Sequence, residues 1–129
     1  MNDVYLLDTN AAVKLLNSDP VVTKLIGEAD EIYVPIIVVG ELYYGAEHSG
    51  RVAENLKKVD EFAVRYDVLF CDLQSAREYG RIMQQLRIKG RTIRQNDVWI
   101  AAIAMQHSLT VLSQDAHFND VDGLAVQGW

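Results

Sequence analysis

With 129 residues, half of them apolar, the chain has material for one compact domain over 1–129 that buries roughly two-thirds of its unfolded surface, and no second domain is needed. A formal net charge of −6 argues against gripping a polyanion through an evenly basic surface. The single cysteine, Cys71, excludes an internal disulfide and lacks the partners of a zinc site; its neighbours Leu69 and Phe70 predict a buried structural thiol.

In chain order, Val4 to Leu7 is too short for a core helix and is followed at once by polar residues, which predicts a buried strand. Those apolar residues form no export leader, and no run approaches membrane-spanning length, so the expectation is a soluble, cytoplasmic protein with no membrane contact. Helices are predicted over about 11–17 and, after Pro20, over 21–29. Glu31 to Val34 predicts a second strand stopped by Pro35, whose fixed φ suits the first turn of the next helix. That helix, over 36–47, is apolar nearly all round, with Ile36, Ile37, Val38, Val39, Leu42, Tyr43, Tyr44 and Ala46. Such a helix is usually buried on two sides, so one side is free to meet a partner.

Val52, Leu56, Val59, Phe62, Ala63 and Tyr66 repeat at helical spacing and predict an amphipathic helix over about 51–66, with Glu54, Lys57, Lys58 and Glu61 outward. A third strand is predicted at Val68 to Phe70. A helix over about 74–89 follows, with Ala76, Tyr79, Ile82, Met83 and Leu86 on one side and Gly90 as its stop. The last helix runs from Asn96 or Asp97 to Gln106, Thr110 to Leu112 is the fourth strand, and Leu124 to Val126 is a candidate fifth. Strands alternating with helices over the whole length predict a three-layer α/β/α fold with a mainly parallel central sheet of four to five strands.

Four acids, Asp8, Glu41, Asp97 and Asp115, sit where the pattern switches between short apolar runs and helices. In a parallel sheet such positions meet in the crevice at the carboxyl ends of the strands. Converging carboxylates repel, and a hard divalent cation such as Mg²⁺ or Mn²⁺ normally holds them ionised. Each acid alone has a plainer reading: Asp8 as a helix cap, Asp97 as a first-turn residue, Asp115 as a turn residue. Glu41 is more telling, because an ionisable group inside an apolar helix needs exposure or a counter-charge. Only the combination makes the case.

That combination resembles a known family. Leu7-Asp8-Thr9-Asn10, the Gly-Glu-Leu-Tyr-Tyr-Gly-Ala stretch at 40–46, the helix start from Asn96 through Ala102, and Leu112-Ser113-Gln114-Asp115-Ala116-His117-Phe118 are similar to the motifs of PIN-domain ribonucleases, particularly the VapC-type toxins of bacterial and archaeal toxin–antitoxin pairs. The motifs occur in the family's order between Asp8 and Trp129. The resemblance implies that Asp8, Glu41 and Asp97 form an acidic triad, with Asp115 as a fourth, more variable acid. It also implies a Mg²⁺-dependent endoribonuclease, with Mn²⁺ able to substitute, acting on RNA. The implied partners are a small antitoxin, whose tail wraps the helices near 11–46 and blocks the acidic pocket, and a second copy in a homodimer.

The chemistry these residues suit is metal-assisted hydrolysis of a phosphodiester, with the ion held by Asp8, Asp97 and Asp115 and with Glu41 orienting water or accepting its proton. Thr9 and Ser113 are expected to hold Asp8 and Asp115 in place, or else to cap helices. Arg87, Lys89, Arg91 and Arg94 fall within eight positions just before Asp97; they form either a grip for the phosphate backbone or a solvated helix end. His48 and His107 suit helix ends, while His117 lies within reach of a substrate at Asp115. Two rival classes stand beside this reading. An aspartyl-phosphate receiver or phosphatase would need a late lysine and, in the phosphatase pattern, an acid where this chain has Asn10; the last lysine is Lys89. A catalytically silent interaction module on the same fold would not need all four acids.

Overall fold

The computed structural model describes residues 3–129. Its short apolar runs become five strands, β1 (Val4–Leu7), β2 (Glu31–Pro35), β3 (Asp67–Leu69), β4 (Thr110–Leu112) and β5 (Val126–Gln127). They form one sheet in the order β3-β2-β1-β4-β5, and every neighbouring pair is parallel. Six helices connect them: α1 (Thr9–Leu16), α2 (Pro20–Glu28), α3 (Ile36–Glu47), α4 (Val52–Arg65), α5 (Leu73–Lys89) and α6 (Gln95–His107).

The connections place the site. From β1 the chain steps outward through β2 to β3, then returns across the sheet to β4 on the other side of β1. Right-handed crossovers therefore put α1 to α4 on one face and α5 and α6 on the other. Within these layers α3 packs on α4, and α5 packs on α6. The strand order reverses between β1 and β4, so their carboxyl ends border a crevice that backbone does not fill. Beneath it lies an apolar core: Leu6, Leu7, Val34, Val38, Ile100, Ala101, Ile103, Val111 and Leu112 are wholly buried. Burial of side chains of this size stabilises by about 1.5–3 kcal/mol each, which fixes the strand ends that carry the polar residues.

Several predicted details change. Pro35 is not in the first turn of α3; it closes β2, paired with Leu69, and precedes the helix as its cap. The fifth strand begins at Val126 rather than Leu124, because Leu124 N–H turns back to the Val121 carbonyl beside Gly123 at φ 80°. Cys71 is exposed, not buried: β3 is the outer strand and ends at Leu69, so Phe70 and Cys71 run off its edge toward α5. On α5 the buried residues are Ser75, Ile82 and Leu86, while Ala76 and Met83 face water. Gly90 ends that helix in the left-handed conformation at φ 67°, as the sequence predicts. α3 buries Val38, Val39, Leu42 and Ala46 but leaves Tyr44 71% exposed, so this chain alone covers one side of it. Among the described residues no helix is long and apolar enough to cross a membrane.

Candidate active site

Asp8 follows β1 directly and caps α1, its Oδ1 accepting the Ala11 N–H at 2.8 Å. Its own N–H donates to the Leu112 carbonyl at 3.3 Å, which extends the β1–β4 ladder by one residue and brings Ser113 alongside. The Ser113 hydroxyl donates to Asp8 Oδ2 and accepts the Asp115 N–H at 2.9 Å. Both Asp8 and Ser113 are buried. Asp115 then caps a 3-10 turn over Ala116–Asp120, accepting the His117 N–H at 2.9 Å and lying 3.1 Å from His117 Nδ1.

Asp97 is the third residue of α6, buried, on a helix whose cap residue Arg94 makes no side-chain capping bond. A carboxylate in that turn is favoured by the helix dipole. Glu41 differs from the others: it sits at neither a strand end nor a helix start but in the second turn of α3, half-buried. Its Oε1 accepts from Thr9 Oγ1 at 3.0 Å, and its Oε2 lies 3.4 Å from an Arg94 guanidinium nitrogen. The counter-charge that an acid in an apolar helix requires is therefore Arg94.

The electrostatics tie the four acids into one field. Burial pushes the Asp8 carboxyl above the usual range; hydrogen bonds from Ser113 and Ala11 pull it back, and the charges of Asp115 and Glu41 push it up again. Burial likewise raises Asp97, the Arg94 guanidinium opposes this, and Asp115, Asp8 and Glu41 each add to the rise. As a donor set, hard carboxylate oxygens under mutual repulsion suit Mg²⁺ or Mn²⁺. Among the described residues, however, no three acidic, imidazole or thiol groups stand close enough to hold an ion as they are placed.

The predicted residues divide accordingly. Asp8, Asp97, Asp115 and Glu41 share the crevice. Thr9 holds Glu41 rather than Asp8, whose two oxygens accept from the Ala11 N–H and the Ser113 hydroxyl. Ser113 serves Asp8 and touches Asp115 only through its backbone N–H. The basic cluster disperses at Gly90. Lys89 is tied to the Asp122 carboxylate and, at 3.0 Å, to the Asp120 carbonyl, while Arg87 and Arg91 lie exposed and only Arg94 reaches the acids.

Sequence reasoning missed the walls. A cleft of about 590 Å³ opens beside Glu41, lined by Thr9, Ile36, Ile37, Gly40, Tyr44, Arg94 and Asn96. Tyr44 was findable, since a residue three positions beyond Glu41 shares its helix face. A second, apolar groove of about 240 Å³ runs between α1, α3 and α4 and also reaches Glu41; Val13, Leu16, Leu42, Ala46 and Val59 line it, with Lys58 at its border.

Three comparisons with known proteins agree with this fold. The PIN domain family profile matches residues 5–124. The chain is 31% identical over 128 residues to Ribonuclease VapC2 of Haemophilus influenzae, covering 97% of each, and 29% identical over 128 residues to the tRNA(fMet)-specific endonuclease VapC of Shigella flexneri, again covering 97% of each. Among solved structures, the DNA-bound VapBC of Salmonella typhimurium superposes with a TM-score of 0.89 at 29% identity, over 100% of this chain and 99% of that one.

Proposed function

The chain belongs to the PIN-domain family, beside VapC ribonucleases, and we propose that it is a Mg²⁺-dependent endoribonuclease and the toxin half of a toxin–antitoxin pair. The observation that carries this reading is the convergence of Asp8, Asp97, Asp115 and Glu41 at the β1–β4 switch, two of them buried at evident electrostatic cost. A cap or a turn needs no such burial among like charges. The ion would be held by Asp8, Asp97 and Asp115, and the closing of Asp97 and Asp115 toward Asp8 around it is part of the proposal. The chemistry such a cation supplies is activation of water and neutralisation of charge at the phosphodiester.

The chain's own residues do the rest. The Ala11 N–H and the Ser113 hydroxyl aim Asp8, so its rotamer is set before any ligand arrives. Glu41, which Thr9 and Arg94 hold, would orient the attacking water or accept its proton. Arg94, mostly exposed at the rim, is the cation available to a substrate phosphate. The aspartyl-phosphate alternative loses its phosphoryl-holding lysine, since Lys89 is engaged by Asp122. Solved relatives are VapBC complexes, and the groove between α1, α3 and α4 suits an antitoxin segment that would end at Glu41. A homodimer is part of the same proposal.

Asp97→Asn tests the site directly. With purified protein, Mg²⁺ and a mixed RNA substrate, cleavage is expected to fall to background while circular dichroism stays unchanged. Wild-type cleavage by this variant would remove Asp97 from the site and the mechanism with it.

A further inference from the structure

Glu41 shares its face of α3 with Tyr44, three positions on, and His48, the residue that caps the helix, follows Tyr44 by four. Their rings lie nearly parallel, 14° apart with centroids 5.9 Å from each other. The neighbouring Tyr43 shows what a structural tyrosine looks like here: it packs on the core and donates its hydroxyl to Asp60. Tyr44 instead leaves 71% of its surface in water and forms a wall of the cleft beside Glu41.

The chemistry of the cleft selects one occupant. Its lining holds one acid, Glu41, paired with one cation, Arg94, and no basic strip, so it offers little to a run of phosphates, whereas an uncharged base meets no repulsion there. Ile36, Ile37 and the Tyr44 ring offer an apolar surface, the Asn96 amide a donor and acceptor, and Arg94 a charge for one phosphate. Aromatic faces that stack on successive bases are the usual means of holding single-stranded nucleic acid without sequence readout. Resting on the ribonuclease reading above, we propose that Tyr44, backed by His48, is the stacking platform for an unpaired base of single-stranded RNA adjacent to the scissile phosphate.

The test uses the full chain carrying Asp8→Asn, so that RNA is bound and not cut. The probes are a short fluorescein-labelled oligoriboadenylate and the same sugar–phosphate chain without bases, titrated in Mg²⁺ buffer and read by anisotropy. Adding Tyr44→Ala is expected to weaken oligoriboadenylate binding about tenfold. The abasic chain is expected to bind as before, and Tyr44→Phe to restore the affinity. With Asp8 intact, Tyr44→Ala should raise KM and leave kcat nearly unchanged. Equal weakening of both probes, or of neither, overturns the platform. So does weakened antitoxin binding with RNA affinity unchanged, which would give Tyr44 to the partner interface. If the Asp8→Asn protein binds neither probe the platform also falls, while the ribonuclease reading is still judged separately by wild-type cleavage and its loss in Asp97→Asn.

Discussion

α1 and α5 both begin on an aspartate, and the two aspartates do the same local work in opposite surroundings. Asp8 and Asp72 each accept a hydrogen bond from the backbone N–H three residues on, at 2.8 and 3.1 Å. Asp72 is exposed and surrounded by donors: the Ser75 N–H chiefly, then the Gln106 amide and the Ser75 hydroxyl, hold its carboxyl below the usual range. Asp8 is buried, and burial together with Asp115 and Glu41 carries its carboxyl above that range. Starting a helix accounts for all of Asp72 and only part of Asp8. The proposed metal site accounts for the surplus cost at Asp8, because a cap alone is best left in water.

The largest test of that contrast is activity. Asp8→Asn keeps an equally good cap residue, so RNA cleavage should vanish while the melting temperature in chelator stays at or above that of wild type. Asp72→Ala should do the reverse, cutting RNA normally and melting a few degrees lower as the α5 cap is lost. Normal cleavage by Asp8→Asn would erase the distinction.

A smaller effect is expected from metal. Mn²⁺ at a hundred times its dissociation constant should stabilise the wild-type protein by about 2.7 kcal/mol, read as a rise in melting temperature. Asp72→Ala should keep that rise, and Asp8→Asn should lose most of it. An equal rise in both variants would place the ion elsewhere.

The smallest is a pH dependence with opposite signs at the two caps. Because the folded-state carboxyl of Asp8 lies above its ordinary 3.8, its contribution is fully favourable below 3.8 and is lost as pH rises through the folded value. Wild type should therefore gain on Asp8→Asn as metal-free protein is acidified from neutrality toward that range. Asp72, held below 3.8, contributes above that value and loses its contribution as pH falls further through the folded one. The advantage of wild type over Asp72→Ala should thus persist at neutral pH and shrink only in stronger acid. Parallel thermal melts along a pH series distinguish the two, and the same slope at both sites would mean that burial of Asp8 is electrostatically unimportant.

What the sequence could tell depends on the range of the forces involved. β4 at Thr110–Leu112 and α3 at Ile36–Glu47 match their predicted bounds, because a short β-branched run and an unbroken apolar helix are local signals. The parallel sheet followed from the alternation of such elements, and the acids from their positions around it. Long-range facts were less legible. That Cys71 lies beyond an edge strand depends on strand order, which no local pattern carries. That Thr9 serves Glu41 and Ser113 serves Asp8 depends on how α3 and β4 pack beside β1. The four basic residues look like one cluster in sequence, yet a single left-handed glycine sends Lys89 and Arg94 to different partners.

The hydroxyl that fixes Asp8 comes from Ser113, 105 residues further along the chain. Synthesis at about 5–20 residues per second separates the two by roughly 5 to 20 s. Throughout that interval the nascent chain carries the first acid of its pocket without the strand that encloses it, and β1 has only β2 to pair with. For a protein proposed to cut RNA, this delay has a use. The pocket cannot be completed, and no RNA can be cut there, until β4 and Ser113 have been made, so the topology itself postpones the hazard.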